Sequence, residues 1–290
     1  MHGTICVVGL GTMGRPMARC LGSAGCDLVG WDRDAEARKG LALASLEETA
    51  LGADTVMTML PDGESVASVI ETLLEQRKDR IFLDCSSIDV ATTRRLAGMA
   101  AAAGCGFVDA PVSGGPEGAA NGTLSFMVGG SPGHVARVRP LLDIMGQQVI
   151  HFGETGSGQA AKACHNMICG ITMLGVCEAF ALAESLDLDA GKFHDLCRGA
   201  AAQSWILDNR CPVPGLMSDA PATHDYTPGF AARLMAKDLS LAQQAALISG
   251  QTTPFGAEAA RRFAHFDASG HGDLDISAIY RAIRRGSMTG

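Results

Sequence analysis

The chain has 290 residues, enough for one large domain or two of ordinary size. With 47% hydrophobic and 19% charged residues, its composition suits a compact fold rather than a disordered one. The net charge of −8, with no basic block, argues against nucleic acid or an anionic membrane surface as a partner.

The chain opens with "MHGTICVVGLGTMG", which has no basic leader and runs straight into a strand pattern, so no targeting peptide is expected. "TICVVGL" (4–10) reads as a strand, and Gly9, Gly11 and Gly14 follow in a GxGxxG pattern that opens a helix. In such a motif the first glycine allows a tight turn and the second lets the backbone approach a pyrophosphate. The third permits close helix–sheet packing, and the helix N-terminus faces the phosphates. Thr12 and Met13 join these glycines as expected cofactor contacts. A second strand, "DLVGW" (27–31), ends beside Asp32, whose carboxylate can bond the adenine ribose hydroxyls and would repel a 2′-phosphate. That favours NAD over NADP, although Arg33 alongside leaves NADP open.

Further strands are expected at 55–60, 80–85, 106–111, 124–130 and 148–153, with helical stretches between most of them. This alternation predicts a largely parallel sheet with helices on both faces. "MLPDGES" (59–65) and "LDCSSID" (83–89) lie at strand ends, where cofactors sit in such sheets. Ser65 and Ser87 are candidates there, with turn formation as the alternative role.

"DAPVSGGPEGAANGTLSFMVGG" (109–130) places Ser113, Gly114 and Gly115 after a strand, where bare backbone N–H groups can hold a carboxylate. An unliganded glycine turn fits the same residues. From about Ser157 to Leu186 the chain reads as one long helix, followed by further helices and no convincing strand. A Pro- and Gly-rich loop (210–230) interrupts them. We expect two domains, 1–157 and 158–290. Within the long helix Lys162 is the only formally charged residue from Thr155 to Cys177. Lys162, His165, Asn166 and Cys169 fall at i, i+3, i+4 and i+7, on one helix face. Desolvation and a cationic nicotinamide ring would lower the pKa of a lysine in a ligand cleft, so that it can accept a proton from an alcohol. Asn166 offers a donor and an acceptor to a substrate. Residue spacing alone leaves open the alternative of a lysine snorkelling to solvent.

Taken in order, "VGLGTMGRPMA", "DAPVSGGPEGAANGTLSFMVGG", "GSGQAAKACHNM", "CPVPG", "GFAARLMAKDLSLAQ" and "GHGDLDISAIYRAI" resemble the β-hydroxyacid dehydrogenases, and among them the 3-hydroxyisobutyrate dehydrogenases. The resemblance runs through nearly the whole chain. It implies an α/β Rossmann-type N-terminal domain and an all-α C-terminal domain joined by a long interdomain helix, with the active site between the two. It implies NAD-dependent oxidation of a short 3-hydroxy acid to its semialdehyde, with Lys162 as acid/base and Asn166 orienting the substrate. Ser113, Gly114 and Gly115 would hold the carboxylate. Leu60, Pro61, Ser65 and Ser87 would contact the cofactor, and Lys237 would reach the nicotinamide side. Asp238 would position that segment, and Trp205 and Phe230 would line the cleft or fill the core. It further implies a homodimer or homotetramer.

One departure stands out. Relatives commonly read Asn-Asn where this chain has His165-Asn166, a pair similar to that of 6-phosphogluconate dehydrogenase, whose far larger helical domain does not fit in this chain. Sister activities on L-serine or tartronate semialdehyde are alternatives, as is a dinucleotide-binding protein without catalysis. The ten cysteines lack CxxC spacing and read as reduced residues of a cytoplasmic protein with no metal site. The uncharged run Ala163–Cys177, 15 residues, is short of the ~18–20 that span a bilayer. "DASGHGDLDISA" (267–278) has the glycine of a calcium loop, but Ala278 stands where the bidentate glutamate is needed.

Overall fold

A computed structural model describes residues 3–40 and 44–284. The chain forms two compact units, Met1–Lys162 and Ala163–Gly290.

The first unit runs β1 (Thr4–Val8), α1 (Gly14–Ser23), β2 (Asp27–Trp31), α2 (Leu46–Ala50), β3 (Thr55–Thr58), α3 (Gly63–Leu73), β4 (Ile81–Asp84) and α4 (Val90–Ala102). It continues through β5 (Gly106–Asp109), β6 (Val112–Ser113), α5 (Gly115–Asn121), β7 (Leu124–Gly129), α6 (Pro132–Met145) and β8 (Gly146–Gly153), and closes with the first turns of α7 (Ser157–Ser185). The sheet order is β2-β1-β3-β4-β5-β7-β6, with β8 also paired to β7. Strands β1 to β5 are mutually parallel, as is the β7–β8 pair, whereas β7 runs antiparallel to β5 and β6.

Alternation along β1 shows why both faces are covered. Ile5 and Val7 join one buried cluster with Met17, Leu21, Leu83 and Val108, while Cys6 and Val8 join another with Val56, Ile70, Phe82 and Phe107. A strand buried on both faces reads as a continuous apolar run, and "ICVV" (5–8) does so. The expected strands are all present; β1, β3, β4, β5 and β7 end one or two residues before their expected runs, β2 matches its run, and β8 begins two residues sooner. β1 stops at Val8 because Gly9, at φ +95°, turns the chain out of the sheet. Two-residue β6 is too short for periodicity to reveal.

Side-chain caps fix where helices begin. Asp62 accepts from Ser65 N at the start of α3, and Asp89 from Thr92 N at the start of α4. Arg80 does the same work at helix ends. Fully buried, it donates to Ala50 O at the end of α2, to Ala53 O just beyond it and to Leu73 O at the end of α3, a second partner for the Ala50 and Leu73 carbonyls, which also accept from Ala53 N and Gln76 N.

The second unit comprises the rest of α7, then α8 (Ala190–Arg198), α9 (Trp205–Asn209), α10 (Ala232–Ser249), α11 (Pro254–Phe266) and α12 (Ile279–Arg284). Met173, Cys177 and Phe180 of α7 pack with Met235, Leu239, Phe263 and Tyr280 in one core. Among the described residues of this unit the only β pairing is an isolated bridge, Ala231–Asp275. Asp275, inside the segment with the faint calcium-loop pattern, is fully buried. It accepts from Gly229 N, Phe230 N, Ser277 N and Ser277 Oγ, so its carboxylate ties loops together. Counting only the uncharged run understated α7. The helix is 29 residues long, and its best 18-residue window has mean hydropathy 1.6, sufficient by length and composition to cross a bilayer. A core helix meets the same test, and the buried Met173, Cys177 and Phe180 give α7 that role.

Candidate active site

The glycine loop follows β1. A Cβ on Gly9 would run into the Met59 carbonyl, and one on Gly14 into the Gly9 carbonyl, so the fold itself demands both glycines. Gly11 differs: a Cβ there would meet nothing within 4 Å. Among the described residues no atom requires this glycine, and the open space beside it fits the close approach of a pyrophosphate. Thr12 is exposed, and Met13 packs partly against the core at the start of α1. Asp32 accepts from Leu10 N at 2.7 Å through Oδ2 and from Asp34 N at 2.9 Å through Oδ1. It therefore holds the glycine loop while each oxygen keeps a lone pair for a ribose hydroxyl.

The loops after β3 and β4 are tied together. Leu60 N donates to Ser86 Oγ at 2.9 Å, and Ser86 N donates to Asp84 Oδ1 at 3.0 Å. Pro61 is exposed, Ser65 is half-buried in the first turn of α3, and Ser87 is half-buried between Ser86 and Ile88. Asp84 is fully buried at the end of β4 and pairs in register with Asp109 of β5. Burial pushes the Asp84 carboxyl up to about 6, against hydrogen bonds from Ser86 and Thr58 and reinforced by the neighbouring Asp109.

Asp109 is also fully buried, and it caps α7. Its Oδ1 accepts from Gly156 N at 2.8 Å and its Oδ2 from Gln159 N at 3.0 Å. Burial raises its pKa, and the backbone N–H groups oppose that rise. The cap fixes the turn that delivers Lys162, whose Nζ donates to Val112 O at 2.8 Å. Val112 precedes Ser113, Gly114 (φ +130°) and Gly115 (φ +62°), backbone conformations that L side chains rarely adopt. The structure thus brings half-buried Lys162 to the Ser113–Gly115 turn, two features 47 or more residues apart in sequence.

In the second unit Asn166 is 2% exposed, and its Nδ2 donates to Asp238 Oδ2 at 2.5 Å. That contact orients the amide, so His165 Nδ1, 2.8 Å from Asn166 Oδ1, is the donor in their hydrogen bond. Lys237 Nζ lies 3.6 Å from Asp238 Oδ1, making Asp238 the shared partner of Asn166 and Lys237. Lys162, His165, Asn166 and Cys169 all lie on α7 at the expected spacing, with unequal burial. Asn166 is buried, Lys162 and Cys169 are half-buried, and His165 is exposed. Trp205 is 56% exposed and stacks under the Arg210 guanidinium, while Phe230 packs partly against the second unit's core.

Residues 4–153 match the family described as NAD binding domain of 6-phosphogluconate dehydrogenase, and residues 156–283 the family described as NAD-binding of NADP-dependent 3-hydroxyisobutyrate dehydrogenase. A probable 3-hydroxyisobutyrate dehydrogenase of Mycobacterium tuberculosis is 42% identical over 97% of this chain and 98% of its own length. The chain belongs to the 3-hydroxyisobutyrate dehydrogenase family. A solved structure of the M. tuberculosis 3-hydroxyisobutyrate dehydrogenase with L-serine, also 42% identical, superposes with a TM-score of 0.93 over 98% of this chain and all of that one. An NAD-dependent L-serine dehydrogenase of Pseudomonas aeruginosa is 38% identical over 96% of each chain. Membership makes this chain a nicotinamide-dependent oxidoreductase with a Rossmann-like domain followed by a helical region.

Sequence reasoning about this family member missed Asp84, Ser86, Asp109 and Gln159. Polar residues at the ends of apolar strands, in "FLDCSS" and "FVDAP", were the available signal for the first three. Nothing local marks Gln159.

Proposed function

We propose that the chain oxidises 3-hydroxyisobutyrate, or a similarly short 3-hydroxy acid, to its semialdehyde with NAD⁺. The observation that carries this reading is the Lys162 hydrogen bond to Val112 O, which sets a lysine beside the Ser113–Gly115 turn. When bound, the nicotinamide cofactor supplies the hydride acceptor. In our reading the cofactor domain, residues 1–157, holds it through Gly9, Gly11, Thr12, Met13, Gly14, Asp32, Leu60, Pro61, Ser65 and Ser87, with Lys237 on the nicotinamide side. The two free lone pairs of Asp32 support NAD over NADP.

Ser113 and the backbone of Gly114 and Gly115 grip the substrate carboxylate. Asn166, one helical turn after Lys162, holds the hydroxyl. Neutral Lys162 keeps two N–H donors and one lone pair. One donor steadies it on Val112 O, and the lone pair takes the hydroxyl proton as the carbonyl forms. In the reductive direction the protonated amine returns that proton to the carbonyl oxygen.

L-serine is the second reading. It is favoured by the L-serine in the M. tuberculosis structure and by the P. aeruginosa L-serine dehydrogenase. A panel of 3-hydroxyisobutyrate, L-serine and glycerate, each with NAD⁺ and NADP⁺, tests the assignment. The highest kcat/KM is expected for 3-hydroxyisobutyrate with NAD⁺, and NAD binding without turnover of any hydroxy acid would overturn catalysis itself. Free thiols at all ten cysteines support a reducing, cytoplasmic setting. Exposed Ile168, Leu182, Leu247, Ile248 and Phe255 on the helical unit support a homodimer or homotetramer, which sedimentation would reveal.

A further inference from the structure

Gln159 is 2% exposed, yet it is a polar side chain in a stretch where an apolar one would fill the same volume. Burying a primary amide costs free energy unless its donors and acceptor are matched. Here they are. Nε2 donates to Ser86 O at 2.7 Å, and Oε1 accepts from Ile88 N at 3.2 Å. The amide thus grips the backbone on both sides of Ser87, as a strand neighbour would. Its own backbone N–H is held by Asp109, so the start of α7 is already capped and does not need the side chain.

Hydrogen bonds and the helix backbone join these groups to Lys162. Leu60 N binds Ser86 Oγ, Ser86 O binds Gln159, and Gln159 lies three residues before Lys162 on the same helix. Residues at i and i+3 share a helix face. One turn of α7 therefore carries both the clamp on the Ser87 loop and the amine seated on Val112 O.

We infer that Gln159 is a positioning residue that locks the Ser86–Ile88 loop and Lys162 in one register, so that proton acceptor and cofactor loop meet the substrate in fixed alignment. The inference rests on the proposed role of Lys162 as base and of Ser87 at the cofactor. Its chemistry is alignment only, with no proton passing through Gln159. A misplacement of about 1 Å at a reacting centre costs about a hundredfold in rate, so loosening this clamp acts on turnover.

The test uses the full-length enzyme and two variants. Gln159→Met keeps the volume and removes both hydrogen bonds. Gln159→Glu keeps an acceptor for Ile88 N and regains a donor for Ser86 O only when its carboxyl is protonated. For Gln159→Met we expect kcat at saturating NAD⁺ and substrate to fall about tenfold to a hundredfold. The NAD dissociation constant, read by fluorescence titration, should stay within about threefold. For Gln159→Glu, kcat relative to wild type should recover as pH is lowered. A Gln159→Met enzyme with wild-type kcat beside an inactive Lys162→Ala enzyme overturns this inference alone. So does an equal loss of kcat and NAD affinity, or a Gln159→Glu ratio flat with pH, because a merely structural residue gives those results. Near-wild-type turnover by Lys162→Ala overturns the base assignment and this inference with it.

Discussion

The Nζ of Lys162 donates to the carbonyl oxygen of Val112 over 2.8 Å. In the proposed mechanism this bond orients the amine and leaves the nitrogen lone pair to proton abstraction. Arginine at this position would keep a donor for Val112 O, but a guanidinium does not deprotonate in proteins. Lys162→Arg is therefore expected to fold and bind NAD normally while kcat falls by about 10²–10⁴-fold, read by steady-state turnover.

The two glycines at the start of the loop separate fold from ligand. Gly9 sits at φ +95° with the Met59 carbonyl where a Cβ would go, so Gly9→Ala should destabilise the chain by about 1–3 kcal/mol or more. Gly11 has open space, so Gly11→Ala should leave the melting temperature unchanged while NAD affinity falls about tenfold or more. Calorimetric melting and titration with NAD, run on both variants, check the contrast.

Asp109 holds the start of α7 through Gly156 N and Gln159 N. Asp109→Ala strips a buried cap and leaves N–H groups unsatisfied, at a cost of about 2–3 kcal/mol. Urea unfolding at neutral pH measures this loss. Turnover should fall as well, because the capped turn delivers Lys162.

Asp84 carries a pH signature. Its folded carboxyl, pushed up to about 6 from an ordinary 3.8, is favoured in the protonated form. Its contribution to stability is thus complete below the unfolded pKa and is lost as pH rises through about 6. The loss amounts to about 3 kcal/mol by linkage. Asp84→Asn removes the titration, so the stability of wild type minus variant should decline from about pH 4 to about pH 7 and then level off. A difference that stays constant with pH would assign the titration elsewhere.

Local pattern carried much of the fold. Gly9, Gly11 and Gly14 are close in sequence, and the strand-to-helix change around them is visible in a few residues. The long helix and the i, i+4 spacing of Lys162 and Asn166 are equally local. What escaped was long-range. Gln159 meets Ser86 across 73 residues, and Asp109 meets Gly156 across 47, so no window of sequence contains either pair. Strand ends were overrun for a related reason: apolar residues such as Leu10 and Leu60 continue past the point where the sheet stops, held by Asp32 and Ser86 from other loops.

The most direct measurement of the central claim compares wild type with Lys162→Ala in the oxidation of 3-hydroxyisobutyrate, following NADH formation at saturating NAD⁺. The account predicts that the variant binds NAD with wild-type affinity and loses about 10²–10⁴-fold in kcat. Turnover within about threefold of wild type would contradict it.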